Sequence, residues 1–89
     1  DEPDFKVRHG LDAPGLVALF AWSAEDFRER TAGSPIHRIG HERWLRNVAV
    51  ALGNSSGGAE VVAALKARVH DDSPLVREHV AWALGRLNE

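Results

Sequence analysis

Three arginines and two histidines fall within ten residues of this chain: His37, Arg38, His41, Arg43 and Arg46, in the run PIHRIGHERWLRN (residues 35–47). A guanidinium is planar and always charged; it grips phosphate through paired hydrogen bonds and stacks on an unpaired base. The cluster therefore has the chemistry of an RNA contact. Asn47, which both donates and accepts, can meet a sugar or a base edge beside it. The same residues also fit a solvated helix face, or arginines paired with acids on a neighbouring layer. His37 and His41 stand four apart, and two imidazoles on one side of a helical turn can bind a metal. A third ligand is not evident, because Glu42 points about 100° away on an ideal helix and Gly40 interrupts the turn, so no metal site is expected. Asp71 and Asp72 are adjacent carboxylates in one solvated turn, whereas acid and base catalysis needs two carboxyls in different environments. Catalysis is not expected of this segment.

The remaining composition narrows the setting. Eighty-nine residues make one small domain with one core. The formal net charge is -2, yet Asp1, Glu2 and Asp4 sit at one end while residues 36–47 hold three arginines against one glutamate. Local charge thus matters more than the total. The absence of cysteine excludes disulfides, zinc knuckles and cysteine-held iron–sulfur clusters within the segment. No apolar run is long enough to span a bilayer, and the domain reads as cytoplasmic. Without any methionine, the chain is expected to come from a longer protein.

The elements that must position the basic cluster are helical. Residues 1–11 lack periodicity and read as a linker or docking segment from an upstream domain; residues 12–89 are expected to form the folded domain. Asp12 predicts an N-cap, with Leu16, Val17, Leu19 and Phe20 on an apolar face running to about Trp22. Ser23 predicts a second cap, bonded to the amide of Asp26, for a short helix anchored by Phe27 and ending near Thr31. Pro35 suits the first position of a new turn.

From His41 to Leu52, the apolar residues Leu45, Val48, Ala49 and Leu52 recur at helical spacing, with Gly53 expected as a left-handed C-terminal cap. The run GNSSGG is expected to be a turn and not a phosphate loop, since no strand precedes it and no lysine follows. Ala59 to Val69 predicts a helix with Val61, Val62, Leu65 and Val69 on one side and Lys66 and Arg68 towards water. Ser73 and Pro74 open the last helix, where Trp82 falls off the apolar stripe and is a candidate interface residue.

Residues 48–53 read VAVALG and residues 80–85 read VAWALG, identical at five of six positions with an offset of 32. A period of thirty to forty residues with two helices per unit is the signature of helical-hairpin arrays. The expected fold is all-α, a short right-handed array of antiparallel hairpins of HEAT-repeat type, to which DDSPLVREHVAWALGRL (residues 71–87) is similar. In such arrays an arginine at the start of a unit's second helix often bonds turn carboxylates, so Arg77 is expected to pair with the carboxylate of Asp71 or Asp72, and Arg46 is open to either a structural or an RNA role.

Three stretches, WSAEDF (22–27), SPIHRIGHERWLRNVAVALGN (34–54) and LVREHVAWAL (75–84), resemble the C-terminal region of epoxyqueuosine reductase, a tRNA-modifying family. His37 departs from that pattern, which usually has a second basic residue there, often arginine. The resemblance implies a HEAT-like domain that helps to hold tRNA by its anticodon stem-loop through Arg38, Arg43, Arg46, His37, His41 and Asn47. It also implies cobalamin and two 4Fe–4S clusters on upstream catalytic domains, none of them in this segment. The competing reading is a HEAT-type module that binds protein, with Trp82 at its interface.

Overall fold

The computed structural model describes residues 12–88, which fold into five α-helices and one 3-10 turn with no strand among them. Helix α1 (Ala13–Phe20) begins at Asp12, whose Oδ1 accepts from the Gly15 amide at 3.2 Å. Helix α2 (Ala24–Arg30) is opened by a reciprocal capping box. The Asp26 amide donates to Ser23 Oγ at 3.0 Å, and the Ser23 amide donates to Asp26 Oδ2 at 3.1 Å. Glu25 and Asp26 in its first turn and Arg28 and Arg30 in its last oppose the helix dipole.

The 3-10 turn spans Pro35–Ile39 and leads through Gly40 into α3 (His41–Gly53). Gly40 has φ +87°, a value that L side chains rarely adopt, so it turns the chain sharply between the basic residues on either side. Helix α4 (Ala59–Lys66) follows the glycine turn, and α5 (Pro74–Arg86) starts at Ser73, whose Oγ accepts from the Val76 amide at 3.1 Å.

Helix α1 lies against α3 and α4, and α5 lies against the same two helices, with the α3–α5 contact the most extensive. The resulting slab is 17 Å in its thinnest dimension, as two helix layers 8–10 Å apart require. Its core runs through Leu16 and Phe20 of α1, Leu45, Val48 and Leu52 of α3, Val61 and Leu65 of α4, and Val76 and Val80 of α5, all buried. Phe27 and Trp44 extend that core under the basic turn.

Gly53 departs from the expectation of a left-handed cap. It is the buried last residue of α3, and Asn54 caps the helix with φ -95°. The reason is tertiary: a Cβ on Gly53 would lie 2.7 Å from the Trp82 ring and 3.0 Å from Ala83 Cα, so the glycine lets α5 cross closely. Gly53→Ala is expected to destabilise the domain by about 1–3 kcal/mol through overpacking, despite alanine's better helix propensity. Urea unfolding monitored by circular dichroism measures this.

Helix α4 also stops earlier than expected, at Lys66, and Val69 is left 37% exposed while Val61 and Leu65 are buried. The turn that follows it points Arg68 inward.

Candidate nucleic-acid interface

The basic turn sits on an aromatic base supplied by α2, α3 and the segment between α1 and α2. Trp22 and Trp44 stack with ring centroids 5.3 Å apart, and Phe27 meets Trp44 at 5.4 Å with the rings inclined by 51°. Phe27 lies 6.3 Å from the His37 ring and 6.0 Å from the His41 ring. One buried side chain of α2 therefore touches both histidines. The guanidinium of Arg30 covers Trp22 at 5.4 Å from the ring centroid, with Trp44 stacked on the same indole.

Hydrogen bonds fix both imidazoles. Thr31 Oγ1 donates its single proton to the Phe27 carbonyl at 2.6 Å, so it can only accept from His37 Nδ1, 3.1 Å away. His37 thus carries a proton on Nδ1, on an exposed ring. His41 Nε2 lies 2.8 Å from the Trp22 carbonyl, an obligate acceptor, and so donates from Nε2. The two rings are tied to different partners, and no group of three or more His, Cys, Asp or Glu side chains is arranged for a metal among the described residues.

Arg38 and Arg43 are exposed, and no hydrogen bond or ion pair holds either side chain among the described residues. The acid beside them is occupied: Ser73 Oγ donates to Glu42 Oε2, so the carboxylate sits at the positive N-terminal end of α5. Arg46 and Asn47 are half-buried and bonded to each other, Arg46 Nε donating to Asn47 Oδ1 at 2.8 Å. The six basic-turn residues are therefore not equivalent. Two present unpaired guanidiniums, two imidazoles are locked to the scaffold, and Arg46 with Asn47 forms a local pair.

Arg77 donates to the main-chain oxygens of Asp71 at 2.7 Å and Asp72 at 3.2 Å, and so binds the turn before its own helix through carbonyls and not carboxylates. Trp82 is 43% exposed and lies against the Gly53 end of α3, about 15 Å along the helix from Arg43 at a rise of about 1.5 Å per residue. Arg86 covers its ring at 5.8 Å and donates to Asn54 Oδ1 at 2.8 Å. Trp82 and the basic turn are separate surfaces.

The residue that sequence reasoning missed is Arg68, assigned above to solvent. Its Nε donates to the Phe20 carbonyl at 2.8 Å, its Nη2 to the Trp22 carbonyl at 3.0 Å, and its Nη1 to Asp71 Oδ2 at 3.0 Å. It thereby satisfies a carbonyl that the end of α1 leaves without a helical donor, and it shares the Trp22 oxygen with His41. The i,i+3 pairing of Arg68 with Asp71 is visible in sequence, but the carbonyls it reaches are not. Arg68→Ala is expected to cost about 2–3 kcal/mol, with Arg68→Lys recovering only part because an ammonium cannot span three acceptors in a planar fork. Thermal melts of both variants measure the difference.

Architecture and surface together define a small all-helical module that presents one exposed arginine turn on a rigid aromatic base. Its homologues are proteins named epoxyqueuosine reductase. The chain is 62% identical over 86 residues to that of Xanthomonas campestris, 57% over 86 residues to that of Pseudomonas aeruginosa, and 52% over 85 residues to that of Escherichia coli. These alignments cover 96–97% of the chain but only 22–24% of each relative, so the chain spans about a quarter of their length. No family model matches the chain, and no solved structure matches it significantly. Among the described residues, no helix is long and apolar enough to cross a membrane.

Proposed function

We propose that this chain is the C-terminal tRNA-positioning domain of an epoxyqueuosine reductase, folded as a short right-handed HEAT-like array. The observation that carries the reading is the pair Arg38 and Arg43, exposed and unpaired among the described residues, on a turn that Phe27, Thr31 and Trp22 hold in place. Unpaired guanidiniums on a fixed backbone contact phosphate without first losing a partner, and such contacts set the register of an RNA while leaving base recognition to another site. Reduction of epoxyqueuosine at the wobble position of the tRNA, with cobalamin and two 4Fe–4S clusters, belongs in this reading to the upstream catalytic domains, in the cytoplasm. His37 holds its proton on Nδ1 against Thr31 and offers Nε2, an acceptor in the neutral ring, beside the arginines, while Arg46 and Asn47, bonded through Nε and Oδ1, keep the Arg46 Nη groups and the Asn47 amide nitrogen for RNA.

The test is binding of a labelled anticodon stem-loop at several salt concentrations, by the wild type and by Arg38→Ala/Arg43→Ala. Salt-dependent affinity lost in the double variant supports the assignment; identical titrations would overturn it. A second reading, a module that binds protein, is favoured by the exposure of Trp82. It requires Trp82→Ala to weaken association more than the arginine substitutions do.

A further inference from the structure

The side chains of the basic turn answer to different parts of a nucleotide. Arg38 and Arg43 are donors only, which suits phosphate oxygens and offers nothing to a hydroxyl proton. Glu42 does not supply the missing acceptor, because its carboxylate already accepts from Ser73 and, as an anion, is repelled by a backbone of phosphates. His41 is tied inward. Its Nε2 donates to the Trp22 carbonyl, and the nitrogen left over, Nδ1, lies next to its own main chain on a half-buried ring. His37 is held the other way round.

The His37 ring is exposed, yet two contacts fix it. Its Nδ1 donates to Thr31 Oγ1 at 3.1 Å, where Thr31 is buried and has committed its own proton to the Phe27 carbonyl. The ring also lies nearly parallel to Phe27, inclined by 7° with centroids 6.3 Å apart. Nε2 stands across the imidazole from Nδ1, so the bond that selects the tautomer also turns the remaining lone pair away from Thr31. No hydrogen bond among the described residues uses that nitrogen. An acceptor whose tautomer and ring plane are set in advance loses little freedom when a donor arrives.

We infer that His37 Nε2 accepts the 2′-hydroxyl proton of a ribose in the bound strand, and that this side chain thereby discriminates RNA from DNA. The 2′-hydroxyl is a donor that every unmodified ribonucleotide carries beside its phosphodiester, and DNA lacks it. Arg38 follows His37 directly in the 3-10 turn, about 2 Å further along its axis, which is within the span of one nucleotide. Phosphate and ribose are thus met by neighbouring residues of one turn.

The inference rests on the reading of this turn as an RNA contact, and its test separates the two. In the full-length protein, at about pH 8 where an imidazole is neutral, the wild type and His37→Phe are titrated with labelled anticodon stem-loops carrying one 2′-fluoro group at each nucleotide in turn. Fluorine keeps the ribose pucker and removes the proton; His37→Phe keeps a ring against Phe27 and removes the acceptor. One position is expected to weaken wild-type binding about fivefold, as the loss of one neutral hydrogen bond requires, and to leave binding by His37→Phe unchanged. The unmodified stem-loop should bind His37→Phe about fivefold more weakly with the salt slope retained, since no phosphate contact is lost. A wild type indifferent to fluorine at every nucleotide would overturn the inference whatever the variant does, and so would an equal loss in both proteins. A lower salt slope in His37→Phe without any ribose effect would make His37 a protonated phosphate donor and defeats it as well. Arg38→Ala/Arg43→Ala tells the two readings apart: a lowered slope beside a flat fluorine scan defeats this inference alone, whereas an unchanged slope beside the His37-dependent ribose effect defeats only the arginine assignment.

Discussion

Phe27→Ala is expected to lose about 3–5 kcal/mol of stability, the range for removing a buried aromatic. A domain of this size has only about 4–12 kcal/mol in total, at roughly 0.05–0.15 kcal/mol per residue. The loss is concentrated because Phe27 is buried and its ring meets Trp44, His37 and His41 together. The cavity would open between α2, the 3-10 turn and the start of α3, where a short helix with one buried anchor has little means to collapse around it. The basic turn should loosen before the α3–α5 pair does. Hydrogen exchange should therefore show protection falling first in residues 24–40, while the amides of α3 and α5 exchange only with global unfolding. Phe27→Leu, which keeps most of the volume, should lose considerably less. Equal exchange across all helices in Phe27→Ala would show that the turn has no separate dependence on this side chain.

The second large effect is on RNA. Each arginine that neutralises a phosphate contributes roughly 0.7–0.9 to the slope of log affinity against log salt. Arg38→Ala/Arg43→Ala should therefore reduce the slope by about 1.6 and, with affinities converging near 1 M, weaken binding about 40-fold at 0.1 M salt. The same substitutions should leave stability within about 0.5 kcal/mol, because both side chains are exposed and unpaired among the described residues. That separation makes the result interpretable: lost affinity with an unchanged melt is lost contact. Arg46→Ala offers an internal comparison, since its side chain is half-buried and held at Nε by Asn47, which limits its reach to phosphate, and it should contribute less to the slope. A slope that stays constant in the double variant would remove the phosphate contact from this turn.

Much of the framework was legible in the sequence because it depends on bonds between near neighbours. Asp12, Ser23 and Ser73 each cap an amide three residues ahead, and the chain that makes the cap is the chain that encodes it. The stripe Leu45, Val48, Ala49 and Leu52 defines α3 and its buried face by periodicity alone. The arginine turn was legible as charge.

Tertiary structure decided which of those charges remain available. Arg68 and Arg43 are both arginines in helical surroundings, yet the first is spent on oxygens 48 and 46 residues away while the second is exposed. Glu42 stands beside Arg43 in sequence, yet the partner its carboxylate bonds is Ser73, 31 residues on. Gly53 reads as a left-handed cap and is instead the helical last residue of α3 and a crossing point, because Trp82 and Ala83 arrive from another helix. In each case the sequence determined the side chain's chemistry and its local helix, whereas its partner was set by the docking of distant segments. A hydrogen bond or a steric contact acts over about 3–4 Å, and only the packed fold brings such separated groups that close.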